Sequence, residues 1–350
     1  MAEPAIRAIA RLRPEARLEV QIPRALAPLA RAWSCVDEVL PVVTGSRVIE
    51  RLDAWWGPMR LRRRRFDLCV LLPNARGVAN LAARAQIPRR VGYARDGREA
   101  LLTDAVPIPD EPRRVHMIAY YWGLARRVGC AEIPGLTALD GARPEEVPRI
   151  LARDERTRPR VEPTDAMLDC GRRLLRQAGL VDGPFVAVAP GAAYGQAKCW
   201  PARHFGALCR RLARELARPC VLLGAAHERT LGAAVSEHAG AGAAVVDLTG
   251  RTDVGALIGI LAGASLFVGN DSGPAHLAAA LGRPGLTLFG STSEGHSGPV
   301  GLRMRTLHRH VPCSPCFAQD CPLGHFDCLD GLSVDVVAGA LPPPHDREGQ

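Results

Sequence analysis

From Pro184 onward the chain reads as five short apolar runs, FVAVAP, CVLLGA, AVVDLTG, SLFVGN and GLTLFG, parted by helical stretches such as ARHFGALCRRLARELA and TDVGALIGILAGA. Runs that are apolar at every position, not at alternate ones, have both faces buried, and their alternation with helices supplies the crossovers a parallel sheet requires. Such crossovers are right-handed, and ligands settle beyond the carboxyl ends of the strands. The loops after Ala189, Gly224, Leu248, Gly269 and Phe289 are therefore where a site is expected. The amino-terminal half alternates in the same way. RLEVQIP, DEVLPV, FDLCVLLPN and RRVGYA read as strands, and IRAIARLR, RALAPLARAW and RVIERLDAWW as helices. Here a doubly wound domain would ordinarily open on a strand, yet the chain begins inside a helix, with Met1, Ala2 and Glu3 at its mouth.

A chain of 350 residues exceeds the size at which one core stops growing, so two domains are expected. The charged, proline-bearing stretch DGARPEEVPRILARDERTRPRVEPTDAM separates them. The resulting division is an amino-terminal domain over 1–150, a linker over 151–182, a second domain over 183–335 and a tail over 336–350. A net charge of +9 suggests an acidic partner. Only 5% of residues are aromatic, and no interleaving of basic with aromatic side chains favours nucleic acid. Gly255 to Gly269 is too short to span a bilayer, and the first residues, MAEPAIRAIARLRP, carry charges where a signal peptide would be apolar. A cytoplasmic location follows, in which eleven cysteines are expected mostly as thiols.

Residues 267–299, FVGNDSGPAHLAAALGRPGLTLFGSTSEGHSGP, carry the sharpest local signal. A strand ends at Gly269, a tight turn covers Asn270 to Gly273, and Pro274 opens a helix whose cap is Ser272 or Gly273. The free amides of a first helical turn, with the helix dipole, make an anion site suited to a pyrophosphate. Asp271 could orient a sugar hydroxyl there or cap the helix; His276 could donate to a phosphate or stack against a neighbour. The next strand delivers a second turn, GSTSEG, beside the first. The first loop of this domain, GAAYGQAKCWP, holds Lys198, the single lysine beside 44 arginines. Lysine is a compact point charge where arginine is a broad fork, so a narrow anion pocket admits the one and excludes the other; a solvated surface lysine is the alternative.

PGAAYGQAKCWP, followed some seventy residues on by GNDSGPAHLAAALGRPGLTLFGST, resembles the lipopolysaccharide heptosyltransferases, family 9 of the GT-B glycosyltransferases. RRFDLCVLLPN and IPRRVGY extend the resemblance to the amino-terminal half. It implies a GT-B fold, two doubly wound Rossmann-like domains facing a central cleft. It implies transfer of L-glycero-D-manno-heptose from ADP-heptose to the inner core of lipopolysaccharide, with inversion at the anomeric carbon. By similarity Lys198, Asp271, Ser272, Gly273 and His276 hold the donor's phosphates and sugar, and Ala193, Tyr194 and Thr252 line its site. The implied partners are ADP-heptose and a lipid A–core acceptor at the inner membrane surface, with peripheral attachment to its inner face and no nucleic acid. Since a fixed cation and a helix amino terminus stabilise the departing ADP, no metal or other cofactor is expected at the site.

An inverting transfer also needs a carboxylate to take the acceptor hydroxyl's proton. Relatives place it as Asp in a Gly-Asp turn after the first strand, just before a segment like MAEPAIRAI, so the catalytic residue is expected upstream of Met1 and none is assigned. Glu3 and Asp96 are the nearest substitutes. A non-catalytic nucleotide-sugar-binding relative, or a nucleotide-sugar epimerase of the same architecture, are the alternative readings. Two features stand apart from this chemistry. Cys313, Cys316, Cys321 and Cys328, with His325 among them, could hold zinc, although their spacing is not that of a standard finger, or remain thiols in a small lid. The run Arg62 to Arg65 could meet phosphates of a lipid-linked core or end a helix in solvent.

Overall fold

The computed structural model describes residues 1–43, 56–180 and 183–345. Contacts divide the chain into two compact units, Met1–Thr137 and Ala138–Gln350. In the first unit the strands are β1 (Glu19–Pro23), β2 (Glu38–Val42), β3 (Leu68–Leu71), β4 (Arg89–Tyr93) and β5 (Asp104–Val106), all paired in parallel. They form two separate sheets, β1–β2 and β3–β4–β5. An apolar groove whose walls include Ile6, Ile9, Val20, Leu40, Leu68 and Val70 is bordered by both β1 and β3. Each of those strands has a partner strand on one side only among the described residues. The opening helix, Glu3–Leu12, buries Ala5 against Trp122 and Ala125 of the helix Met117–Arg127, while Glu3 pairs with Arg7 one turn on at 3.3 Å.

Four amino-terminal strands and the first two helices match the sequence expectation; β5 and the helices Arg76–Arg84 and Met117–Arg127 were not foreseen. RVIERLDAWW, apart from its last residue, lies outside the described residues. In the arginine run, Arg64 is engaged by Glu19 and Glu38 at 2.6 Å each and so ties the end of the helix over 56–63 to β1 and β2.

The second unit carries β6 (Val186–Ala189), β7 (Cys220–Leu222), β8 (Val245–Asp247), β9 (Leu266–Asn270), β10 (Gly285–Phe289) and β11 (Met304–His308). They make one parallel sheet in the order β11-β10-β9-β6-β7-β8. The five expected runs are all strands, and β11 is a sixth that its arginine and polar residues conceal. Val186, Val188, Leu222, Val268 and Leu288 are fully buried, as continuous apolar strands under helices must be. The helix Ala202–Leu216 turns Phe205, Leu208, Cys209 and Leu212 to this core, spacings of three and four that make one helical face. Each such side chain contributes about 1.5–3 kcal/mol by leaving water.

The expected linker is not a separate element. The boundary falls at 137/138, and the described residues of that stretch, 151–180, belong to the second unit. Its helix Asp165–Gln177, capped by Thr164, lies on the helix Val254–Gly263 with backbones touching: a Cβ on Gly259 would stand 1.9 Å from the Met167 carbonyl oxygen. Polar composition suggested a tether, but two facing glycines, Gly171 and Gly259, let this helix dock without a broad apolar stripe.

Candidate active site

Because the chain order runs outward from β6 through β7 and β8 on one side, and from β9 through β10 and β11 on the other, the sheet changes direction between β6 and β9. At such a switch point the following loops diverge and leave a crevice at the strands' carboxyl ends. The registers Val188↔Val268 and Ala189↔Gly269 bring those ends level. The loop after β6 carries Lys198, and the loop after β9 carries Asp271.

Asn270, fully buried at the end of β9, clamps the two loops together. Its Nδ2 donates to the Pro190 carbonyl at 2.6 Å, and its Oδ1 accepts from the Trp200 amide at 3.1 Å. The lysine loop is braced from a second side. The Ala197 amide donates to Gln319 O at 2.9 Å, and the Tyr194 hydroxyl donates to Phe317 O at 2.8 Å. Gly195 permits this approach: its φ is 154°, and a Cβ there would sit 2.3 Å from Gln319 O. Lys198 closes a single 3-10 turn, Gln196–Lys198, and its ammonium reaches Asp271 Oδ2 at 2.5 Å with the Tyr194 ring centroid 5.5 Å away.

Lys198 is 12% exposed and Asp271 only 3%, so this is a largely desolvated ion pair and not a surface one. Asp271 Oδ2 also accepts from Thr292 Oγ1 at 2.8 Å, in the turn after β10, and from Ser297 Oγ at 3.1 Å, at the end of the short helix Glu294–Ser297 that follows it. The carboxylate therefore gathers three loops, and it does not cap the helix. Ser272 is the N-cap of Gly273–Ala280 but makes no side-chain capping bond, and its buried hydroxyl oxygen has no hydrogen-bond partner. Above Gly273 there is open space. His276, one turn in, faces Asp271 Oδ1 at 3.9 Å and is 22% exposed. Desolvation outweighs the neighbouring carboxylate and brings its pKa down to about 4, so the imidazole is neutral near pH 7.

Six of the eight expected donor residues, Tyr194, Lys198, Asp271, Ser272, Gly273 and His276, thus meet at the switch point. Ala193 is exposed in the lysine loop. Thr252, after β8, stands outside the hydrogen-bonded cluster among the described residues and precedes the Asp253 cap of the next helix. Asn270, Thr292 and Ser297 lay inside the quoted stretches but received no role, because only the folded sheet brings them against Asp271 and Pro190. Glu228 was missed altogether. Its carboxylate accepts from the Ala225 amide at 2.6 Å and packs where a Cβ on Gly191 would be, joining the ends of β6 and β7. The expected loop after Gly224 was the available signal. Of the two substitute bases, Glu3 is buried in its pair with Arg7, and Asp96 is exposed in a left-handed turn at φ 57° beside Arg95.

A cation, an unpartnered hydroxyl and a helix amino terminus around open space suit a bound anion, and the carboxylates suit hydroxyl groups beside it. Comparison with known proteins points the same way. The profile of glycosyltransferase family 9 (heptosyltransferase) matches residues 58–327. Lipopolysaccharide heptosyltransferase 2 of Escherichia coli K12 is 28% identical over 298 residues, 84% of this chain and 80% of its own. The protein of the same name from Salmonella typhimurium LT2 is 28% identical over 340 residues, 96% of this chain and 92% of its own. Among solved structures, E. coli ADP-heptose LPS heptosyltransferase II superposes with a TM-score of 0.77 at 23% identity, covering 97% of this chain and 92% of that one. E. coli heptosyltransferase WaaC with ADP gives 0.65 at 18% identity, over 97% and 93% of the two chains. The fold is accordingly GT-B, built of Rossmann-like α/β units, and the chain belongs to glycosyltransferase family 9, the heptosyltransferases.

Proposed function

We propose that this glycosyltransferase moves L-glycero-D-manno-heptose from ADP-heptose to the inner core of lipopolysaccharide, inverting the anomeric carbon. The carrying observation is the Lys198–Asp271 pair set beside the amino terminus of Gly273–Ala280. The carboxy-terminal unit would hold the donor. An ammonium has three N–H bonds, of which Asp271 takes one, and the others are available to a pyrophosphate oxygen. As the glycosidic bond lengthens, negative charge grows on the departing ADP, where Lys198 and the first-turn amides stabilise it more than in the ground state. Ser272 Oγ donates to the same anion. Neutral His276 adds a hydrogen bond without a second fixed charge. Glu228 and Asp271 would accept from donor hydroxyls. The E. coli WaaC structure, which contains ADP, supports an adenosine diphosphate leaving group in this fold.

The acceptor would be bound mainly by the amino-terminal unit and would be a lipid A–core at the inner face of the inner membrane; among the described residues no helix is long and apolar enough to cross that membrane. The general base is not assigned among the described residues. The test is incubation with ADP-heptose and a deacylated, heptose-deficient core. Release of ADP matched by one added heptose of inverted anomeric configuration supports the reading. Release of ADP with no sugar added to the core, or no binding of ADP-heptose, refutes it.

A further inference from the structure

The net charge of the chain is carried by one of its two units. Residues 1–137 hold 23 arginines against 14 aspartates and glutamates, whereas residues 138–350 hold 22 basic against 22 acidic side chains, so the whole excess of +9 lies on the first unit. Charge gathered in this way attracts an anionic surface to one part of a molecule and leaves the other part indifferent to it.

The helix over 56–63 and the two residues after it concentrate that charge. Leu61 packs in a core cluster with Ala82, Ala85 and Ile87, and Gly57 and Pro58 are buried with it. The exposed side carries Trp56, Met59, Arg60 and Arg63, at spacings of three, four and seven residues that make one helical stripe, with Arg62 beside it. Trp56 is 52% exposed and Met59 46%, and among the described residues of the first unit only Leu26 joins them as an exposed large apolar side chain. One apolar side chain in water is ordinary. A tryptophan and a methionine one helical turn apart among arginines suit an interface that is apolar below and polar above, where ring and thioether leave water while guanidinium groups stay in the polar layer.

The arginines are only partly used within the protein. Arg64 is engaged by Glu19 and Glu38 at 2.6 Å each, and Arg17 shares both carboxylates. Arg62, Arg63 and Arg65 meet no carboxylate among the described residues. Arg13 and Arg89 border the same groove as Arg64 and Arg65, with Glu15, Glu19 and Asp67 as the acids facing them, so the positive surface runs on past the helix end.

We propose that this face of the first unit docks on an anionic phospholipid bilayer, with Trp56 and Met59 set among the headgroups and Arg62, Arg63 and Arg65 on lipid phosphates. The pairing of apolar side chains with charge commits the face to lipid. A second copy would bring the same positively charged unit against it, arginine to arginine. Single-stranded nucleic acid asks for successive aromatic platforms, and the described face has one. Binding needs both contributions, because a few apolar groups at the boundary hold weakly and the attraction of the arginines fades within a Debye length. The docking face rests on the membrane-borne acceptor proposed for this enzyme, but its test does not depend on heptose transfer.

The test is flotation of the full chain with vesicles of phosphatidylcholine alone and of phosphatidylcholine carrying phosphatidylglycerol. The protein should float with the second and not with the first, and added salt should release it. Trp56→Ser with Met59→Ser, and Arg62→Glu with Arg63→Glu, should each weaken binding at least tenfold, with circular dichroism confirming the fold. Arg172→Glu with Arg173→Glu, exposed on the helix Asp165–Gln177 of the second unit, makes the same change in net charge and should float as wild type does. Affinities for ADP-heptose and for a water-soluble, deacylated core are measured on the same proteins, where a failure of the heptosyltransfer reading shows without touching vesicle binding. Flotation with neither kind of vesicle or equally with both, wild-type binding in either first-unit variant, or an equal loss in the second-unit control would overturn the proposal. So would a tenfold loss of affinity for the soluble core in Arg62→Glu with Arg63→Glu, which would give these arginines to the acceptor's own phosphates.

Discussion

Replacing Lys198 with arginine keeps the charge and tests the shape of the pocket. The ammonium sits 2.5 Å from Asp271 Oδ2, 12% exposed, with Tyr194 on another side. Asp271 cannot retreat to admit a larger group, since Thr292 and Ser297 hold the same oxygen at 2.8 and 3.1 Å. Tyr194 is held in turn by its bond to Phe317 O. A guanidinium spreads its charge over three nitrogens on a planar fork, so it must either displace the ring or turn its N–H groups away from the anion. Losing one charge-assisted hydrogen bond costs roughly 1–3 kcal/mol, which is about 5- to 150-fold in affinity. Calorimetric titration of ADP and ADP-heptose into wild type, Lys198→Arg and Lys198→Met is the assay, with thermal melts to confirm folding. Lys198→Met should lose at least as much affinity. It should also melt lower, because it leaves Asp271 buried without its cation. Equal ADP-heptose affinity for Lys198→Arg and wild type would refute the pocket argument.

Asn270→Ala should destabilise the carboxy-terminal unit by about 2–4 kcal/mol, since the Pro190 carbonyl and Trp200 amide lose their buried partner; urea denaturation within 0.5 kcal/mol of wild type would remove the clamp from the account. His276, with a folded pKa of about 4 against an ordinary 6.5, makes stability full above pH ~6.5 and diminishing as pH falls towards 4, because the unfolded chain takes up the proton first. His276→Gln should flatten the stability curve in that window, and an unchanged slope contradicts the assignment. Transfer is expected to need no added divalent ion, the charge at the pyrophosphate being met by Lys198 and the helix amino terminus, and a rate that climbs with added magnesium would count against this.

Local pattern was enough for those features that depend on neighbours in sequence. Continuous apolar runs determined the parallel sheet of the second unit, because a strand buried on both faces has no polar position to spare. Ser272, Gly273 and Pro274 determined a helix amino terminus after β9, since cap and proline act within one turn. The single lysine in an arginine-rich chain marked its loop before any contact was known. Tertiary structure decided what distance in sequence hides. β11 and β5 are too short or too polar to read as strands alone and exist through ladder pairing with β10 and β4. The polar helix Asp165–Gln177 read as linker, but backbone contact at Gly171 and Gly259 attaches it to the second unit. Asp271 read as either a cap or a sugar ligand. Its links to Lys198, 73 positions before it, and to Thr292 and Ser297, 21 and 26 positions after it, follow from the strand order that sets β9 between β6 and β10. Sequence determines which chemical groups each loop offers, and strand order determines which of those loops meet, because crossover topology is a property of the whole sheet.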